Sequence, residues 1–167
     1  MENYIEYMVK KKFDGGDMAK SCLILAALLV ICGGVALFLG PASGLVVLIF
    51  LGYGAWWLIS GLRKEYEYVL TNDHLDVDMI MARRSRRRLC SFDMEAMELC
   101  ARTGDPDKNS EMKRSFAKVH QAASAPNAAN AYFVVFSGEG GNNMLVFEPN
   151  DRIIEGMSIY SRSKIFK

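Results

Sequence analysis

Five arginines in six residues, Arg83, Arg84, Arg86, Arg87 and Arg88, are the sharpest chemical feature of this 167-residue chain. Guanidiniums this close together suit anionic phosphates, and near an anionic leaflet each basic side chain contributes about 1 kcal/mol. The alternative is a solvated hairpin loop. Nucleic acid is not expected, because the formal net charge is only +1 and such binders carry a strongly basic domain. Other chemistry is scarce. The two histidines, His74 and His120, have no partners at metal-ligand spacing, so no metal site is expected. Asp76 and Asp78 fall on the polar face of a predicted strand and read as solvated surface, not as an acid–base pair. The glycines of 138–141 lie between two strands and read as a hairpin turn, not a phosphate cradle. No nucleophile-elbow, P-loop or zincin pattern is present. No catalytic residue, no cofactor and no enzyme are expected.

The elements that would position the arginines come in two materials. Residues 21–62 contain no Asp, Glu, Lys or Arg, whereas residues 63–167 carry 16 basic and 15 acidic side chains. A bilayer core takes about 20 apolar residues per helix, so the uncharged stretch predicts a transmembrane hairpin over 18–62. Its spans are 18–39 and 44–62, and Gly40-Pro41 lies in the turn between them. A cleaved signal peptide is the alternative, but the first apolar run is longer than such segments carry. Lys10, Lys11, Lys12 and Lys20 flank the first span, Arg63 and Lys64 follow the second, and the connection is uncharged. The predicted location is therefore the cell membrane, multi-pass, with both termini cytoplasmic. Gly33, Gly34, Gly52 and Gly54 are expected to let the two helices approach closely. Cys22, Cys32, Cys90 and Cys100 show no C-x-x-C spacing and read as reduced thiols.

Residues 1–17 read as a short amphipathic helix on the inner leaflet, with Tyr4, Ile5, Met8 and Val9 at helical spacing before Lys10–Lys12. The alternative is that this segment packs on the cytosolic domain. From residue 65 the period becomes two. Tyr66, Tyr68 and Leu70, then Leu75, Val77 and Met79, form a hairpin about Asn72-Asp73. The arginine run interrupts it, and Leu89–Phe92 resumes as a third strand. A helical turn at 93–97 leads to a fourth strand near 98–101. Residues 116–121, 132–136 and 144–147 give three more, with an alanine-rich loop over 122–131. Asn150 caps a final helix whose stripe is Ile153, Ile154, Met157 and Tyr160.

Four strands, a loop, about three strands and one C-terminal capping helix is the order of a pleckstrin-homology (PH) split barrel, a mainly β, α+β domain over 63–167. The two spans, the segment Glu65-Tyr-Glu-Tyr-Val-Leu-Thr-Asn, then Leu75-Asp-Val-Asp, the arginine-rich turn and Phe147-Glu-Pro-Asn before a helix carry a resemblance. The chain resembles small bacterial two-span membrane proteins with a C-terminal PH-like domain, a family of unknown function. The resemblance implies a barrel capped by a helix and implies no known ligand.

Strand geometry gives the arginines a place. The first strand carries the chain about 23 Å from Lys64 at roughly 3.3 Å per residue, and the second returns it. Arg83, Arg84, Arg86, Arg87 and Arg88 are then expected beside Arg63 and Lys64, with Lys10, Lys11 and Lys12 on the same anionic-lipid-facing rim. The function expected is a non-enzymatic, membrane-anchored binding or scaffold module. The alternative is an accessory subunit of a transporter or envelope-stress complex. Membrane lipids are the expected partner, and self-association and a membrane-protein partner both stay open.

Overall fold

A computed structural model describes residues 4–138 and 140–166, without the side chain of Asn109. Residues 1–3, part of the expected interfacial helix, and Glu139, in the expected hairpin turn, lie outside the described residues. The chain divides into two compact units. One is Lys12–Lys64, and the other joins the residues up to Lys11 with those from Glu65 onward.

The first unit is a pair of helices, α1 (Gly15–Leu39) and α2 (Pro41–Gly61), both long and apolar enough to cross a membrane. Asp14 caps α1, its side chain accepting from Asp17 N at 2.8 Å, as short polar residues do at a first turn. The turn between the helices is tighter than expected. Gly40 alone makes it, at φ +90°, where a side chain would be strained. Pro41 does not lie in the turn but starts α2, a position where its missing N–H has no intrahelical partner to lose. The expected role of Gly33, Gly34, Gly52 and Gly54 is corrected too. A Cβ on any of them would meet nothing within 4 Å, whereas one on Gly44 would lie 2.7 Å from Ala36 Cβ. Gly44 is the glycine that lets α1 and α2 approach.

The second unit begins earlier than expected. Residues 4–10 are not a helix but a strand, β1 (Tyr4–Lys10), in antiparallel register with β2 (Lys64–Thr71) from Tyr4↔Thr71 to Lys10↔Glu65. Ile5, Tyr7 and Val9 alternate with Glu6, Met8 and Lys10, so the sequence also carries a strand period. The tertiary partner decides between the two periods, because Ile5 and Tyr7 pack against the core that Val9 enters. The β domain is therefore not confined to 63–167. The helical pair is an insertion between its first two strands.

β2, β3 (His74–Met81) and β4 (Ser85–Asp93) complete a sheet ordered β1-β2-β3-β4. The second sheet is ordered β6-β8-β7-β5-β9, with β5 (Met97–Arg102), β6 (Lys118–Gln121), β7 (Tyr132–Gly138), β8 (Gly141–Phe147) and a two-residue β9 (Ile165–Phe166). A four-residue α3 (Asn109–Met112) precedes β6. The main core lies between the sheets and is closed by α4 (Asp151–Ser161), which contributes Ile153, Ile154 and Met157. Asn150 caps α4 by accepting from Ile153 N at 3.0 Å. Tyr160, expected in the buried stripe, is exposed instead. Tyr68 is fully buried, and its hydroxyl donates to Ala122 O and accepts from Glu148 N. A smaller core covers the other face of the second sheet. There Ala123 and Ala131 of the alanine-rich segment lie against Phe133 and Val146, so that loop is a lid of small side chains. The two sheets and the closing helix fit a PH-like fold.

Two substitutions test this packing. Ile153→Asp buries a charge without a partner where the native side chain is wholly buried, and should cost several kcal/mol. Loss of cooperative unfolding by circular dichroism is the expected result. Gly44→Val should destabilise the helical pair by about 1–3 kcal/mol, read as a lower denaturation midpoint in detergent. Gly52→Val should leave that midpoint unchanged.

Candidate functional site

The arginines do not form a loop. Only the tip, residues 82–84, leaves the ladder; Ala82 and Arg83 are at positive φ (51° and 57°), and Arg84 N donates to Met81 O at 2.9 Å to close the turn. Two consecutive left-handed residues match the twist of a tight hairpin. Neither is a glycine, so the tip holds strain of about 1 kcal/mol or more per residue. Arg86, Arg87 and Arg88 are residues of β4, paired with Ile80, Met79 and Asp78. The register shifts between Val77 and Asp78, and the bulge this makes leaves Leu89 as the extra residue.

On the outer face of the first sheet, this register sets cations against carboxylates. Arg86 Nη2 pairs with Glu67 Oε2, and its Nε lies 3.6 Å from Asp78 Oδ2. Arg88 reaches Asp78 Oδ1 through Nε and Asp76 Oδ1 through Nη1, both at 2.6 Å. Arg83 Nε lies 3.6 Å from Glu65 Oε1. Glu67 and Asp78 are each only 4% exposed. Asp78 is therefore not the solvated residue expected, and carboxylates so buried need charged partners. Arg86 and Arg88 supply them, so these two arginines hold the sheet together. All five arginines are exposed, and Arg87 makes no ion pair among the described residues.

The ends of the strands decide where the exposed arginines stand. β1 ends at Lys10, opposite Glu65 near the start of β2; β3 ends at Met81, opposite Ser85 at the start of β4. All four ends lie on one side of the sheet, and the Arg83–Glu65 contact ties the tip to it. Exposed Lys10 and half-buried Lys11 belong to this side. Lys12, Arg63 and Lys64 are assigned to the helical unit and are joined covalently to those same strand ends.

At the opposite end of β3 and β4 lies a cluster that sequence reasoning missed. His74 Nδ1 stands 2.5 Å from Asp93 Oδ1, and its Nε2 stands 2.7 Å from Ser91 Oγ and 3.2 Å from Asp76 Oδ1. A serine, a histidine and an aspartate in contact are the residue types of a hydrolytic triad, but here the Ser91 hydroxyl donates to Asp76 at 2.6 Å. Its proton goes to a carboxylate, and the imidazole is left to donate through both nitrogens. The hydrogen bond to Asp93 and the charges of Asp76 and Asp93 accordingly raise the His74 pKa above 6.5. With His74 protonated, the cluster is a clasp across the β3–β4 pair. Its only sequence signal is that His74 and Asp76 alternate on one strand and Ser91 and Asp93 on the next. That signal has meaning only once the register is known. His120 differs: burial lowers its pKa, and its ring stacks 6.5 Å from Phe136. Among the described residues, no three His, Cys, Asp or Glu side chains are placed to hold a metal ion.

The chain matches over residues 1–167 the family model described as "Bacterial PH-like domain (DUF6106)", and it belongs to that family. No curated protein and no solved structure matches it.

The clasp predicts a pH dependence. A folded-state pKa raised above 6.5 means that the clasp's stabilisation is complete below that pH and is lost as pH rises through the raised value. His74 is part-exposed, so the effect should stay within about 1 kcal/mol after solvent screening. Urea midpoints measured across this range should fall with rising pH in the native chain and flatten in His74→Gln.

Proposed function

We propose that this member of the bacterial PH-like family is a non-enzymatic, membrane-anchored binding module. Helices α1 and α2 form its transmembrane hairpin, both termini are cytoplasmic, and the basic tip of the β domain faces anionic headgroups. The observation that carries the reading is the register. The Arg83–Arg84 tip shares one side of the first sheet with Lys10 and Glu65, the positions between which the apolar helices are inserted. Within the β unit the contact falls to Arg83, Arg84 and Arg87, with Lys10 and Lys11 on the same side of the sheet; Lys12, Arg63 and Lys64 of the helical unit are further headgroup contacts. Arg86 and Arg88 are withdrawn from that contact by Glu67, Asp76 and Asp78. At about 1 kcal/mol per basic residue near an anionic surface, three arginines orient a domain that the hairpin has already anchored.

The whole chain in lipid nanodiscs tests this, since a fragment from residue 63 lacks β1. Hydrogen exchange across residues 82–88 should slow several-fold when phosphatidylglycerol replaces part of the phosphatidylcholine. The slowing should vanish in about 1 M salt, where the Debye length is ~3 Å. It should also vanish in Arg83→Gln/Arg84→Gln/Arg87→Gln, which spares the buried ion pairs. Equal exchange in neutral and anionic nanodiscs would contradict the reading.

A further inference from the structure

Helix α4 has two opposed faces. Ile153, Ile154 and Met157 enter the main core, while Glu155, Ser158 and Ile159 follow one another at helical spacing on the other side. Arg162, at the C-cap, keeps helical φ and ψ (−57° and −38°) and so continues that stripe. Ile159 is 70% exposed. Ser158 Oγ donates to Ile154 O of its own helix at 2.6 Å, so its hydroxyl is already engaged. Glu155 and Arg162 are exposed and stand about two turns apart, and neither side chain makes an ion pair or hydrogen bond among the described residues. An open groove of about 690 Å³ lies along the stripe, lined by Glu155, Ser158, Ile159, Arg162 and Ile165.

We propose that this face of α4 is a self-association surface, and that its occupant is the α4 of a second copy of this chain, antiparallel and related by a two-fold axis. The arrangement of charge selects that occupant. In a two-fold pair one patch meets itself, residue i against j and j against i. Glu155 and Arg162 flank the Ser158–Ile159 step at equal distances along the chain. An antiparallel pair centred on that step sets the glutamate of each copy against the arginine of the other, so two ion pairs form at once. A parallel pair would set glutamate against glutamate and arginine against arginine, and like charges brought together across an interface are costly. The face therefore carries its own complement and rejects the wrong orientation. At the centre Ser158 is small and its hydroxyl is turned to its own helix. The helices can then approach to an interaxial distance of about 8–10 Å, and each Ile159 enters the groove of the other copy as a knob enters a hole. An exposed isoleucine alone calls for no partner. One set midway between an unpaired acid and an unpaired base, beside an open groove, finds its match in its own copy. A single helix pair buries less than a standard interface, so the dimer is weak and reversible. It requires neither the headgroup contact of Arg83 and Arg84 nor a bilayer.

Sedimentation equilibrium of the full chain in detergent, over a range of concentrations, tests the pairing. The native chain should pass reversibly from monomer to dimer. Glu155→Arg sets arginine against arginine and should raise the dissociation constant at least about tenfold, and Arg162→Glu should do the same. The double exchange Glu155→Arg/Arg162→Glu brings opposite charges together again and should dimerise as the native chain does. Both positions are exposed, so circular dichroism should show all three variants folded. Thiol trapping reads the same face without altering its charges. In Cys22→Ala/Cys32→Ala, which lacks the two thiols that are not buried, Ile159→Cys should form an intermolecular disulfide under mild oxidation. Val119→Cys, at a position 51% exposed on β6, should not. A native chain monomeric at every concentration, a dimer that the single exchanges leave as strong, a double exchange that restores nothing, or equal trapping at both cysteines would each overturn the proposal.

Discussion

The antiparallel pairing of residues 4–10 with 65–71 is the constraint on which the rest depends, because it closes the chain around an apolar insertion. Residues 11–64 leave the sheet beside Lys10 and return beside Glu65, which are partners in one ladder. Closing a flexible loop of that length costs entropy that grows with the logarithm of its length. A helical hairpin removes most of the cost, because two antiparallel helices of 25 and 21 residues return the chain to nearly the level it left. Gly40 and Gly44 make that return possible, one by its φ of +90° and the other by the space it leaves for Ala36. The strand pairing and the helical turn therefore support each other although they are built from opposite materials.

The same sheet explains how five arginines coexist with near-zero net charge. Antiparallel register puts Glu65 and Glu67 on β2, Asp76 and Asp78 on β3, and Arg86 and Arg88 of β4 on one face, with Arg87 alternating to the other. The arginines nearest the middle of the sheet neutralise carboxylates that are themselves buried. All five arginines stay exposed, and Arg87 makes no ion pair among the described residues. The alternation of faces along β4, not residue type, separates Arg86 and Arg88 from Arg87.

Several elements were legible in the sequence because their signals are local. The alternation of Tyr66, Tyr68 and Leu70, the cap at Asn150, and the apolar run of 132–136 each specify an element without reference to anything distant. The larger misses depend on a partner far along the chain. Tyr4–Lys10 has apolar residues at both helical and strand spacing, and only its pairing with β2 decides between them. The arginines read as a loop because five charges interrupt an apolar period, yet Glu67, Asp76 and Asp78 supply a polar face on which that run is regular. His74 read as a lone turn residue because Ser91 and Asp93 are on another strand. The strand at Ile165–Phe166 is two residues long, below the length at which any period is visible.

The register of β1 on β2 can be measured directly by cross-strand disulfide trapping in the full chain. Glu6 and Val69 are partners in the ladder, so Glu6→Cys/Val69→Cys should cross-link under mild oxidation, as neighbouring strands bring Cβ atoms within disulfide range. Glu6→Cys/Leu70→Cys, displaced by one residue to the opposite face, should not. Efficient cross-linking of the first pair alone is the predicted result. Failure of that pair, or equal yield from both, would contradict a strand at residues 4–10 and with it the closed sheet around the helical insertion.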